Sequence, residues 1–346
     1  MDLLLTFLIG LAGGTLLFRL KVPGGMMVGA IVAVAALSIA AGRATMPSEA
    51  KLAAQSLAGA FIACGVDNKD IRELPKLWKP LLSVIVSLLV VNLLLGFLIT
   101  LCSPLDLTTA LMSTMPGGMS DAPIIAADMG ADASKVAILQ FVRMSTGIGL
   151  FPMLILWVTK HEQESGSDDA AGKQSAGGKQ KGMPVFLLTL AVAFAFGLFG
   201  KRLGIPAGTL LFSMLGVMVL KLLWGKAYLP MWAKRLAQVL SGSYIGCGIT
   251  RNDVLELRYL LLPALLILVV YFLNSLVTGY LLHRAFGYSR KTGMLMATPA
   301  GASDMALISA DLGVTDRAVV ELQIARMVIV IAVFPQVIAL VSNLFS

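Results

Sequence analysis

Three stretches of this chain, Val22–Gly42, Leu81–Cys102 and Tyr259–Leu282, carry no charged residue. Each is close to the ~20 apolar residues a helix needs to cross the hydrocarbon core of a bilayer. Backbone groups inside lipid have no water to bond, so such segments span as helices. The rest of the chain agrees. Of its 346 residues 58% are hydrophobic and 13% charged, and the mean hydropathy is +0.87. A soluble domain carries about 25% charged residues. The sequence therefore predicts an all-α polytopic membrane protein, and its uncharged runs argue against a large soluble protein with buried helices.

The net charge of +8 would suit a nucleic-acid partner. Here the basic residues fall in short loops between apolar spans, as they do in membrane proteins. No basic helix or aromatic stacking motif accompanies them, so no nucleic acid is expected. Cys64, Cys102 and Cys247 sit in or beside apolar segments without metal-ligand spacing and read as small packing residues. His161 and His283 both fall in hydrophilic connections. The start, Met1-Asp2-Leu3, lacks a positive n-region and reads as the beginning of a membrane helix.

Against this apolar background one polar stretch occurs twice. The first copy runs from Met115-Pro116-Gly117-Gly118-Met119-Ser120-Asp121 through Asp128 to Gln140 and Arg143. The second runs from Thr298-Pro299-Ala300-Gly301-Ala302-Ser303-Asp304 through Asp311 to Gln323 and Arg326. The offset is 183 residues with no gap. The same offset pairs Arg19 with Arg202, Pro23 with Pro206, Gln55 with Gln238, Gly59 with Gly242, Cys64 with Cys247, and Phe151-Pro152 with Phe334-Pro335. Apolar composition repeats Leu and Ala by chance, not Gln, Asp, Arg and Pro in register. The chain reads as repeat 1 over 1–159, a polar cytoplasmic linker over 160–182 rich in Gly, Ser, Asp and Lys, and repeat 2 over 183–346.

In repeat 1, helices are expected over about Leu3–Phe18, Met26–Ala41, Ser48–Val66 and Leu81–Leu101. Leu107–Met115 is a short helical arm that Pro116-Gly117-Gly118 interrupts. Ser120 is placed to cap a second arm, Asp121–Met129, closed by Gly130. Asp132 caps a helix from Ala133 to about Val158. The short arms form a hairpin over Leu107–Met129 with its twin at Arg290–Leu312, either re-entrant or a broken spanning helix.

Loop charge speaks to orientation, because cytoplasmic loops are enriched in Lys and Arg. In the first half the first and third loops hold Arg19, Lys21, Lys69, Arg72, Lys76 and Lys79, against Arg43 and Lys51 in the others. In the second half the bias reverses: Lys201, Arg202, Arg251 and Arg258 against Lys221, Lys226, Lys234, Arg235, Arg284, Arg290 and Lys291. Opposite orientation follows, giving two inverted-topology repeats of about five transmembrane helices plus one Pro-Gly-broken segment each. The N-terminus lies outside and the linker in the cytoplasm. Secondary transporters are often built this way, with the site where the repeats meet.

Irregular backbone at membrane depth is tolerated only when buried in protein or lining a cavity. A nine-residue arm reaches ~13 Å and Arg143 lies ~15 Å into its helix, so both come to mid-bilayer. Gln140 and Arg143 share a helix face, as do Gln323 and Arg326. The candidate substrate- and ion-binding residues are therefore Pro116, Gly117, Gly118, Ser120, Asp121, Asp128, Gln140 and Arg143. Their counterparts are Pro299, Gly301, Ser303, Asp304, Asp311, Gln323 and Arg326. Freed amides at Gly118–Asp121 and Gly301–Asp304 can hold an anion. Arg143 and Arg326 can pair a carboxylate. Asp121, Asp128, Asp304 and Asp311 can take a proton or sodium ion. The plainer alternative has each arginine held by a hairpin aspartate as a buried structural pair. Gly59 and Gly242 suit helix packing, and Gln55 and Gln238 suit interhelical hydrogen bonds.

With its two Pro-Gly-x-x-Ser-Asp-like segments, the chain resembles the AbrB-duplication membrane family, whose members are often labelled ammonia monooxygenase. The paired Pro116…Arg143 and Pro299…Arg326 segments carry the resemblance, which extends over nearly the whole chain. It implies a link to regulation of gene expression. The oxygenase label fits the residues poorly, since copper or iron oxygen chemistry needs histidine-rich or histidine–carboxylate clusters and this chain has two histidines. The expectation is a multi-pass inner-membrane secondary transporter, not an enzyme. It would carry a small anionic or zwitterionic solute with protons or sodium, without a cofactor; homo-oligomerisation is compatible with the sequence. A membrane regulator or sensor is the first alternative and a membrane monooxygenase the second. Cysteines introduced at Ser167 and Gly287 should both react only with thiol reagents applied from the cytoplasm. A periplasmic Gly287 beside a cytoplasmic Ser167 would remove the inverted arrangement.

Overall fold

A computed structural model describes residues 2–22, 24–66, 68–158, 182–299, 314 and 317–345. The described residues form helices joined by turns, with no strand among them. The helices are α1 (Asp2–Arg19), α2 (Gly25–Ala41), α3 (Ser48–Gly65), α4 (Asn68–Cys102), α5 (Leu107–Thr114), α6 (Ala122–Asp128), α7 (Ala133–Gly149) and α8 (Phe151–Val158). After residue 182 come α9 (Met183–Arg202), α10 (Gly208–Trp224), α11 (Met231–Cys247), α12 (Arg251–Glu256), α13 (Leu261–Phe286), α14 (Arg290–Ala297) and α15 (Arg317–Phe345). A 3₁₀ turn, Leu257–Leu260, joins α12 to α13.

Five helical stretches are long and apolar enough to cross a membrane: Asp2–Arg19, Leu77–Cys102, Met183–Arg202, Arg251–Phe286 and Ala318–Phe345. The shorter α2 and α10 are also apolar. The outward faces of the long stretches carry large apolar side chains such as Leu94, Leu187, Leu265 and Leu340. In water that surface would be unfavourable at roughly 25 cal/mol per Å²; facing lipid it is not. The chain is an all-helical membrane protein. Element bounds recur at the sequence offset. Helices α2 and α10 begin and end 183 residues apart, as do α5 and α14.

The helices sort into two bundles. One holds α1, α2, α3, α9, α10 and α11, the other α4 to α8 with α13, α14 and α15, and α11 touches the second bundle through α6 and α7. Within the first bundle the two halves exchange partners. Helices α1 and α2 pack on α11, while α9 and α10 pack on α3. Two glycines make this approach feasible. A Cβ on Gly59 would lie 2.5 Å from the Leu210 carbonyl oxygen, and one on Gly242 would lie 2.5 Å from that of Met27. Met27 and Leu210 stand at the common offset, so the two crossings are reciprocal. Lys221 donates to the carbonyls of Cys64 (2.8 Å) and Val66 (2.6 Å), and Ser38 donates to that of Cys247 at 3.3 Å.

Two expected helices differ. The helix expected from Leu81 begins at Asn68, so Lys69, Arg72, Lys76 and Lys79 lie on α4 rather than in a loop. The segment expected to run unbroken from Ala133 to Val158 divides at Leu150 into α7 and α8. Pro152 has no amide hydrogen with which to continue the ladder. The equivalent Pro335 lies within the continuous α15.

Gly59→Ala and Gly242→Ala should each destabilise the protein by about 1–3 kcal/mol, because backbone must move to admit the methyl group. Gly65→Ala, at a position with nothing within 4 Å of its Cβ, should be close to neutral. Thermal melting in detergent of the three variants checks the contrast.

Candidate functional site

The site is built on a problem of hydrogen bonding. A helix leaves its last four carbonyls without intrahelical partners, and α5 ends inside the second bundle with Leu111, Met112, Ser113 and Thr114 all buried. Each of these carbonyls receives a side-chain donor. Asn92 Nδ2 reaches the Leu111 oxygen at 2.8 Å. Gln140 Nε2 lies 3.1 Å from that of Met112 and 3.2 Å from that of Ser113. The Tyr271 hydroxyl donates to that of Thr114. Beyond the helix, the chain turns at Pro116-Gly117-Gly118. There Gln140 and Arg143 both hold the Met115 carbonyl, at 2.9 and 2.5 Å, and Arg143 also donates to Gly117 at 2.7 Å.

The second copy repeats the arrangement one offset later. Gln323 Nε2 donates to the carbonyls of Leu295 (2.8 Å), Met296 (3.4 Å) and Thr298 (3.2 Å). Arg326 donates to Thr298 at 2.8 Å. Ser275, the register partner of Asn92, donates to Met294 at 3.0 Å. Pro299 follows, buried. Ala300, Gly301, Ser303, Asp304 and Asp311 lie outside the described residues.

The two helix ends share a centre. Tyr271 is fully buried on α13, and Arg143 lies over its ring at 6.0 Å from the centroid. The charges of Arg143 and Arg326 both act on Tyr271 and on each other. Both arginines are 3% exposed. Arg143 makes no ion pair among the described residues, and its Nε has no hydrogen-bond partner. A guanidinium offers five N–H donors, and the bonds above use two.

The other arm of the first hairpin, α6, is gripped at both ends. At its far end Asp128 pairs with Lys51 at 2.7 Å and accepts from Gln55 at 2.5 Å, both from α3. At its near end Gln238 of α11 donates to Ser120 at 3.1 Å, and the charge of Lys234 acts on Asp121. Lys51 and Lys234 are register partners, as are Gln55 and Gln238. Asp121 is buried, and its carboxylate folds so closely over Gly118 that a Cβ there would meet Oδ2 at 2.3 Å.

The sequence of this chain matches a family described as "Transition state regulatory protein AbrB" over residues 1–78 and 26–342. The chain belongs to the AbrB family. Two relatives match it nearly end to end. "Uncharacterized protein YhjN" of Bacillus subtilis strain 168 is 24% identical over 97% of this chain and 92% of its own length. "Putative regulator AbrB" of Escherichia coli strain K12 is 25% identical over 93% and 91%.

In this AbrB-family chain Pro116, Gly117, Gly118, Gln140 and Arg143 come together, with Pro299, Gln323 and Arg326 forming the matching group. Ser120 and Asp121 turn instead toward α11, and Asp128 sits at the far end of the hairpin. Two expectations change. Ser120 does not cap α6: Asp121 occupies the capping position without a side-chain cap bond, because the serine hydroxyl is engaged by Gln238. Arg143 is held by carbonyls rather than by a hairpin aspartate, since the end of α5 supplies oxygens that would otherwise be orphaned. Sequence reading missed Asn92, Ser275 and Tyr271 altogether. An uncharged polar residue inside a charge-free span, as Asn92 and Ser275 are, was the available signal.

Gln140→Leu keeps the volume but strips donors from the carbonyls of Met112 and Ser113. Loss of about 1–3 kcal/mol is expected, the usual cost of an unsatisfied buried polar group. Gln323→Leu should behave alike, and thermal melting of both variants measures it.

Proposed function

We propose that this AbrB-family chain is an inner-membrane secondary transporter for a small anionic or zwitterionic solute, ion-coupled and built from two inverted repeats. The observation that carries this reading is Arg143: a buried guanidinium, without a carboxylate partner among the described residues, beside a second guanidinium. Each short helix directs a C-terminus equivalent to roughly half a negative charge at its arginine. The end of α5 offsets about half of the Arg143 charge, and the remainder attracts an anion. Ionisable residues at membrane depth are costly and serve function as a rule. The three unused donors of Arg143 suit a carboxylate. Asp121, a buried carboxylate of the first hairpin, is the candidate to take a coupling ion.

The cross-contacts support inversion. Ser38, near the end of α2, bonds the end of α11, and Lys221, near the end of α10, bonds the end of α3. Since α2 leads by a short turn into the start of α3, α3 and α11 run in opposite senses. Parallel halves would set these ends on opposite faces. A second reading, a membrane regulator or sensor, draws on the family's description and on the name of the Escherichia coli relative. A membrane oxygenase has less support: no three of His, Cys, Asp and Glu cluster among the described residues.

Uptake of radiolabelled small carboxylates and amino acids into proteoliposomes distinguishes a carrier from a sensor, which binds without flux. For a solute that is carried, Arg143→Ala should weaken apparent affinity at least tenfold, or ~1.4 kcal/mol. A folded Arg143→Ala protein with unchanged affinity would overturn the arginine site.

A further inference from the structure

A cavity of about 310 Å³ opens between the two bundles. Thr108 at the start of α5, Asp128 at the end of α6, and Ser342 and Asn343 near the end of α15 line one side. Lys201 and Pro206, at the turn from α9 to α10, line the other. The first four belong to the second bundle and the last two to the first. Beside it, Gln336 of α15 donates to the Pro206 carbonyl at 2.7 Å, tying the bundles together. The cavity thus lies at the junction of the two bundles, beside the end of the first hairpin.

Its charges are unevenly spent. Asp128 is occupied by Lys51 and Gln55 and makes no ion pair with Lys201. Thr108 and Ser342 bond each other at 2.8 Å. Lys201 is exposed and has no hydrogen bond or ion pair among the described residues. Arg202 next to it already gives α9 a cation at its C-terminus. The other half places Phe18 at this register, so the repeat does not require a lysine here.

We propose that this inter-bundle cavity is a second solute site, a vestibule in which Lys201 receives the carboxylate of a small water-borne anion before it reaches the buried arginines. It rests on the transport reading for its role, while its binding chemistry can be tested without flux. A pocket of this size with a mixed polar and apolar wall suits a small solute with a polar head, and one uncancelled cation at its rim concentrates anions locally.

The test uses the full chain with Cys64, Cys102 and Cys247 replaced by alanine and a reporter, Asn343→Cys, in the cavity wall. Its modification rates by a sulfonate-bearing and an ammonium-bearing methanethiosulfonate are compared, each normalised to free cysteine. The anionic reagent should be favoured. Lys201→Gln should lower that preference about tenfold, because one charge across ~6 Å of water favours the anionic reagent about threefold and disfavours the cationic one about threefold, and Lys201→Arg should retain it. At least one of acetate, lactate, succinate and glutamate should slow the reaction when lysine is present and not in Lys201→Gln. Ser342→Cys serves as reporter if Asn343→Cys fails to fold. An unreactive thiol, equal preference with and without Lys201, or no protection by any of the four anions overturns the site. Measurements in phosphatidylethanolamine vesicles with and without phosphatidylglycerol address lipid: a preference that vanishes with the anionic lipid would assign Lys201 to headgroups and overturn the solute site. Loss of flux in Arg143→Ala bears only on the arginine site and leaves these outcomes unaffected.

Discussion

Everything at the centre of this molecule depends on ending a helix where there is no water. A spanning helix brings its last carbonyls to the membrane surface, but α5 stops after eight residues with its final turn buried. Left unpaired, each of those oxygens would cost several kcal/mol in lipid. The fold answers with Asn92 from α4, Gln140 and Arg143 from α7, and Tyr271 from α13. Three helices are therefore held in register by the terminus of a fourth.

The two bundles divide the work. The first is joined by close backbone contact at small residues, with Gly59 and Gly242 admitting α10 and α2. Such joints are stiff, because interiors are close-packed and tolerate little displacement. The second holds the interrupted helices. Between them, the described contacts run mainly through α6 and α11, with polar groups rather than packed aliphatic side chains at both ends of α6. A buried apolar cluster also runs from the first bundle into the second, so the two share a core as well as these polar ties.

Local chemistry made much of this legible. The break after Thr114, the left-handed Gly130 at φ 74° and the capping of α7 by Asp132 all follow from residue types in a short window. Gln140 and Arg143 were visible as one helix face, and both indeed reach the Met115 carbonyl. What the arginine binds was not visible, since sequence ranks side-chain partners by charge and overlooks carbonyls freed by a broken helix. The exchange of helix partners between halves was equally hidden. It depends on contacts some 180 residues apart, which local periodicity does not encode. Tyr271 escaped notice for a related reason: its register partner is Leu88, so a search for repeated residues passes over it.

That mismatch gives the molecule a built-in bias. Tyr271 adds to the first hairpin a tie that Leu88, lacking a hydroxyl, cannot give the second. One hydrogen bond of this kind is worth about 1 kcal/mol, or roughly a fivefold ratio between two states. Because α5 and α13 lie in the same bundle, the tie strengthens the first hairpin against local opening without acting on the junction between bundles. Two halves alike in register thus differ in how firmly their interrupted helices are anchored, through a single buried side chain.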